Sequence, residues 1–232
     1  MSQQPGPRVL FIDDGGVMND NSVRAVEWQR LVGEFMPAQL GGEPQHWSEA
    51  NRLTFGPLWE GFLSRLDTFP DHATFQREYD LAWLGGMCEH LGIALPPEAR
   101  ALEIARAASG YITERSRSAY PGVAEAIRAL HGAGCELHTA SGETSRELHD
   151  YLTGMGVRDC FNHLFGPDIV GVMKASPEYY RRAFVRAGVD PKQALVIDDS
   201  ESACAWAKAA GAPVVHIGTD AANLAAVAAR LS

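Results

Sequence analysis

The chain has 232 residues, 46% of them hydrophobic and 21% charged, the profile of a folded chain with a sizeable core. Its 29 acidic residues against 20 Lys and Arg give a net charge of −9, which excludes a surface built as a whole to bind nucleic acid or anionic lipid, since both need a basic footprint. Only three of the cations are lysines, Lys174, Lys192 and Lys208.

Residues 1–8 are polar, hold two prolines and lack the charged-then-apolar pattern of a targeting signal. Residues 9–12 form the first apolar run, closed abruptly by Asp13-Asp14-Gly15-Gly16. A continuous apolar run ending in a glycine turn reads as a strand buried on both faces of a parallel sheet. The next hundred residues have no such run. They show helical periodicity over 22–35, 48–66, 72–91 and 97–117, with Ser48, Asp71 and Pro96-Pro97 as start signals, and hold four of the five tryptophans. This stretch reads as an all-helical insertion.

Strand-like runs then return at 135–140, 194–197 and 213–217, alternating with helical patterns at 123–131, 143–155, 177–187 and 202–210. Gly132, Gly154, Gly188 and Gly211 mark helix ends. Strand–helix alternation predicts an α/β fold, a doubly wound parallel sheet with right-handed crossovers. The predicted division is a Rossmann-like core of residues 1–18 and 119–232, interrupted by a helical domain of residues 19–118. Cys88, Cys135, Cys160 and Cys204 lack C-x-x-C spacing, which argues against a zinc site or a disulfide framework. No apolar run exceeds strand length, so the expectation is a reduced, cytoplasmic protein with no membrane partner.

In an open parallel sheet, ligands bind outside the carboxyl ends of the strands. Those ends carry Asp13-Asp14, Ser141-Gly142 and Asp198-Asp199, and Lys174 precedes the helix leading into the strand at 194–197. Clustered carboxylates repel unless a cation compensates them. Mg²⁺ suits one or two carboxylates plus a substrate phosphate, with one aspartate left to attack and Ser141 and Lys174 to hold an anionic group. His138, inside a strand, reads as a hydrogen-bonded core histidine rather than a base. The tryptophans read as core, and nothing singles out His46, Arg52 or Arg65 among the polar residues of the insertion.

Four segments together resemble the haloacid dehalogenase superfamily with a helical cap inserted after the first strand. Val9-Leu10-Phe11-Ile12-Asp13-Asp14-Gly15-Gly16-Val17 resembles its first motif and Leu137-His138-Thr139-Ala140-Ser141 its second. Lys174-Ala175-Ser176-Pro177 resembles the third and Leu195-Val196-Ile197-Asp198-Asp199 the fourth. The resemblance implies an Mg²⁺-dependent phosphatase acting on a small phosphorylated metabolite. It makes Asp13 the nucleophile that forms an aspartyl-phosphate. The metal ligands it implies are Asp13, the Gly15 carbonyl, Asp198 and Asp199, with Asp199 the direct ligand of the last two. Ser141, Gly142 and Lys174 are implied to bind the phosphoryl group.

One position departs from the pattern. Phosphatases of this family carry an acid/base aspartate where this chain has Gly15. General acid catalysis is worth about 10²–10⁴-fold, so Gly15 also supports the alternative of a catalytically silent metal-binding protein. Haloacid hydrolysis, a third reading, is disfavoured by the Asp198-Asp199 pair. Carbon–phosphorus cleavage through a Schiff base is excluded, because no lysine precedes Lys174.

Overall fold

The computed structural model describes residues 9–231, so the polar stretch at 1–8 lies outside the described residues. In chain order the elements are β1 Val9–Ile12, α1 Asn21–Phe35, α2 Pro37–Leu40, α3 Pro44–Leu63, α4 His72–Leu91, α5 Glu98–Arg115 and α6 Val123–Gly132. There follow β2 Glu136–Ala140, α7 Ser145–Gly154, β3 Phe161–Phe165, α8 Pro167–Val170, α9 Pro177–Ala187, β4 Ala194–Asp198, α10 Glu201–Ala209, β5 Val214–His216 and α11 Leu224–Leu231. The chain divides into two compact units, one from residues up to Asn21 and from Ser118 onward, the other Ser22–Arg117.

The first unit is a five-stranded sheet ordered β3-β2-β1-β4-β5, with every pairing parallel. Alternation along β1 explains its three layers. Leu10 and Ile12 enter one apolar cluster with α6, α7 and α11, whereas Phe11 enters the opposite cluster with α9 and α10. β1 is central, pairing with β2 on one side (Ile12 abreast of Thr139) and β4 on the other (Ile12 abreast of Ile197). The winding therefore reverses at β1, which makes its carboxyl end the switch point where such sheets form a crevice.

The second unit is helical. Its core joins Leu31 and Val32 of α1, Trp47 and Ala50 of α3, Trp83, Leu84, Met87 and Cys88 of α4, and Ala101, Ile104, Ala105, Ala108 and Ile112 of α5. Trp47 and Trp83 are buried in it, their indole N–H groups donating to the Gly41 carbonyl (2.7 Å) and Asn51 Oδ1 (2.8 Å). Trp59 lies at the surface. Asp71 caps α4 as its position suggests, accepting from the Thr74 N–H. Ser48, read from sequence as a helix start, sits one turn inside α3 and donates to the Gln29 carbonyl; Pro44 in the first turn begins the helix instead. Among the described residues no helix is long and apolar enough to cross a membrane.

Two sheet features escape the sequence reading. β3 carries no strand signal in the sequence, because Asn162 and His163 are exposed and interrupt the apolar pattern. His138 is fully buried, packed against Phe11 (4.9 Å between ring centroids) and stacked on His163 (5.2 Å). It is a core histidine, but neither ring nitrogen has a hydrogen-bond partner; Nε2 lies 3.1 Å from Glu136 Oε1 without hydrogen-bond alignment.

Burial first, and His163 second, push the His138 pKa down to about 4. Between that value and the ordinary 6.5 the unfolded chain binds the extra proton, so this residue makes stability fall as pH drops through that window. At pH 5 the loss is about 2 kcal/mol relative to neutral pH. His138→Phe is expected to remove it: thermal melts at pH 7.5 and pH 5 should show the variant gaining most at pH 5. Comparing the two proteins cancels the opposite contribution of Asp13, described below.

Candidate active site

The carboxyl ends of β1, β2 and β4 bring the strand-end residues together. Asp13 follows β1 directly, and its N–H donates to the Ile197 carbonyl (2.9 Å), which sets it abreast of Asp198 at the end of β4. Both carboxylates are buried, Asp198 completely. Lys174, in the loop before α9, has a 9% exposed side chain; its Nζ lies 2.9 Å from Asp13 Oδ1 and 2.8 Å from Asp198 Oδ2. Asp199 is exposed, and Asp13, Asp198 and Asp199 each offer an oxygen within 4.8 Å of the others.

Local backbone chemistry keeps Asp199 at this point. An aspartate pair ahead of a helix often serves as its cap, but here Ser200 caps α10, accepting from the Ala203 N–H. The His216 ring meets the Asp199 carbonyl at 2.9 Å. Gly16 has φ +79°, a conformation that favours glycine, and a Cβ there would stand 1.9 Å from Asp199 Oδ2. The side chain of Asp199 thus occupies space that only a glycine leaves.

Asp14 is turned elsewhere. It is fully buried and its Oδ1 accepts from Asn19 Nδ2 (2.6 Å), while Asn19 Oδ1 accepts from the Ser118 hydroxyl (2.8 Å). This chain ties the turn after β1 to the segment that re-enters the sheet unit. Gly15 lies in that turn, bridged to Asn19.

Ser141 follows β2 and is buried, with its N–H donating to the Phe165 carbonyl (3.1 Å) and its Oγ accepting from the Glu143 N–H (3.2 Å). A Thr144–Glu147 capping box starts α7 at Ser145, which leaves Ser141 and exposed Gly142 in the turn between strand and helix.

The electrostatics are those of a crowded site. Burial, reinforced by Asp198 and Asp14 and opposed by Lys174, pushes the Asp13 pKa up to about 7. Its folded pKa is raised, so its contribution to stability is lost as pH rises towards 7. Burial also raises the Asp199 pKa, with Asp198 adding to it. Burial alone would lower the Lys174 pKa; Asp13 and Asp198 outweigh it and hold the ammonium well above its ordinary value. Three carboxylates around one ammonium leave the cluster short of positive charge. The all-oxygen donor set, three carboxylates within 4.8 Å of one another, fits a hard divalent cation.

Of the residues singled out from sequence, Asp13, Lys174, Asp198 and Asp199 converge here, and Ser141 stands on the adjacent strand end. Arg52 and Arg65 are engaged in surface ion pairs with Glu49 (2.5 Å) and Glu78 (3.3 Å). Sequence reasoning missed the Asn19–Ser118 tie and the buried hydroxyl of Tyr180, which donates to Asp198 Oδ2 at 3.1 Å.

A family model described as haloacid dehalogenase-like hydrolase matches residues 25–211. A phosphoglycolate phosphatase of Rhodospirillum rubrum is 34% identical over 98 residues, covering 42% of this chain and 41% of that protein. The match therefore spans less than half the length of that curated relative. Among solved structures, an L-2-haloacid dehalogenase from Xanthobacter autotrophicus superposes with a TM-score of 0.60 at 20% identity, covering 90% of this chain and 77% of that one. A magnesium-bound HAD-hydrolase of Bacillus subtilis superposes with a TM-score of 0.65 at 18% identity, covering 93% and 88%. At these identities the two structures speak for the fold.

Proposed function

Because the chain belongs to the haloacid dehalogenase-like hydrolases, we propose that it is an Mg²⁺-dependent phosphatase acting on a small phosphorylated metabolite through an aspartyl-phosphate on Asp13. The observation that carries this reading is the meeting of Asp13, Asp198 and Asp199 within 4.8 Å, with Lys174 bonded to two of them, at the switch point of the sheet. The phosphatase named among the relatives supports the same chemistry.

Asp13, the Gly15 carbonyl and Asp199 would hold the metal, with Asp198 completing the shell. Mg²⁺ supplies the positive charge that offsets the clustered carboxylates and the transferring phosphoryl group. Lys174 orients the Asp13 carboxylate and meets the anionic phosphoryl oxygens. The Ser141 hydroxyl and the backbone at Gly142 hold the same oxygens from the end of β2. Asp13 attacks phosphorus as the bond to the leaving-group oxygen breaks. Water then attacks phosphorus, which releases phosphate and regenerates the carboxylate.

Gly15 supplies no proton to the leaving group, and Asp14 is committed to Asn19. Haloacid hydrolysis would also need a carboxylate nucleophile, but it gives no use to the oxygen cage that Asp199 completes. In this reading the helical unit Ser22–Arg117 is the cap domain.

The test is phosphate release from a panel of sugar phosphates, nucleotides, other phosphorylated metabolites and an aryl phosphate, with Mg²⁺ and with excess chelator. Turnover that requires Mg²⁺ is the expected result. Full activity in chelator, or none on any phosphate ester, would refute the reading.

A further inference from the structure

We infer that Tyr180 is a positioning residue of this site, an inference that rests on the proposed phosphatase reading. α9 begins at Pro177, immediately after the loop that carries Lys174, and delivers two adjacent buried tyrosines. About 100° separates neighbouring side chains on a helix, and the two hydroxyls reach different strand ends. The Tyr179 hydroxyl lies within hydrogen-bond distance of the Ser141 carbonyl (2.8 Å) and the Phe165 carbonyl (2.9 Å), tying the ends of β2 and β3. The Tyr180 hydroxyl donates to Asp198 Oδ2 at 3.1 Å.

Asp198 is fully buried, and three donors fix it: Lys174 Nζ (2.8 Å) and Tyr180 on Oδ2, and the Ser200 N–H (2.9 Å) on Oδ1. The Tyr180 ring packs against Tyr179 and Phe184, a role a phenylalanine could fill. What tyrosine adds is the hydroxyl, and Asp198 is its partner.

That bond shares Oδ2 between a neutral donor and the ammonium. With Tyr180 in place, Lys174 is one of two groups satisfying Oδ2 and stays bonded to Asp13 Oδ1 at 2.9 Å. Without it, Asp198 keeps only Lys174 on Oδ2, and its carboxylate can pivot about the Oδ1 held by the Ser200 N–H and draw the ammonium off Asp13. Tyr180 therefore aligns the nucleophile through two intermediate groups and touches neither substrate nor metal.

Tyr180→Phe keeps the ring and removes one oxygen. The expected result is a kcat about tenfold lower on the best phosphate ester at saturating Mg²⁺, with KM within twofold of wild type. Calorimetric titration with Mn²⁺ should show at least threefold weaker binding, because the Asp13 carboxylate is no longer held in place. A kcat reduced less than threefold overturns the inference, whatever happens to KM or the melting temperature. If the wild-type protein turns over no phosphate ester, the proposed function has failed separately, and Mn²⁺ affinity alone decides. Weakening of threefold or more then supports the positioning role, and a smaller change overturns it.

Discussion

Asp13→Asn is expected to lower phosphatase turnover at least about a thousandfold while leaving the protein folded and as stable as wild type. The loss follows from chemistry: an amide oxygen is a poor nucleophile, and removing the attacking group of a covalent mechanism costs far more than removing a binding contact. The retained stability follows from geometry. Asparagine keeps an oxygen where Asp13 Oδ1 meets Lys174, and Lys174 keeps Asp198 at 2.8 Å. Burial has pushed the Asp13 pKa up to about 7, so its ionised form is costly in this setting. A neutral isostere removes that cost, and at pH 8 the melting temperature should hold or rise by a few degrees. Turnover of an aryl phosphate and thermal melts on the same preparation check both halves. A variant that is inactive because it unfolds would not satisfy the expectation.

The second large effect is at Lys174. Lys174→Gln deletes the ammonium that bridges two buried carboxylates and leaves Asp13, Asp198 and Asp199 facing one another. Breaking a buried ion pair from one side costs about 3–5 kcal/mol, because the partners stay buried without compensation. For a chain of this size that is a fall in melting temperature of about 10 °C. Turnover should fall at least about a hundredfold, since the nucleophile loses its orienting donor and the phosphoryl group a cation. Added Mg²⁺ should raise the melting temperature of the variant more than that of wild type, as the ion takes over part of the missing charge. Differential scanning calorimetry with and without Mg²⁺ reads this directly. Equal melting temperatures for the two proteins in the absence of metal would contradict the central electrostatic role of Lys174.

How far the site could be read beforehand follows from what each residue type signals. Asp13 and Asp198-Asp199 stand out because they abruptly end apolar runs, and a buried parallel strand has such runs. Lys174 stands out because lysine is scarce in this chain. β3 is an edge strand with Asn162 and His163 exposed, so it lacks the run that marks β1 and β4. α3 starts at Pro44, ahead of its first clear periodic signal.

Tyr180 was invisible for a different reason. It falls at a core-facing position of α9, where an aromatic residue reads as packing, and only the three-dimensional approach of its hydroxyl to Asp198 gives it a second task. Gly16 is similar. A glycine after a strand reads as turn punctuation, whereas its missing Cβ makes room for the Asp199 carboxylate. Residues that bring a charge to the site left a trace in the sequence, and those that act by shape or through a neutral hydroxyl on a neighbour did not.

The covalent step on Asp13 is the centre of this account, and acyl phosphates are reduced by borohydride. Wild-type protein quenched during turnover with Mg²⁺ and substrate, reduced and digested, should yield a peptide in which residue 13 has become homoserine. That peptide should be absent when substrate or Mg²⁺ is withheld. Efficient turnover with residue 13 recovered only as unmodified aspartate would contradict the account.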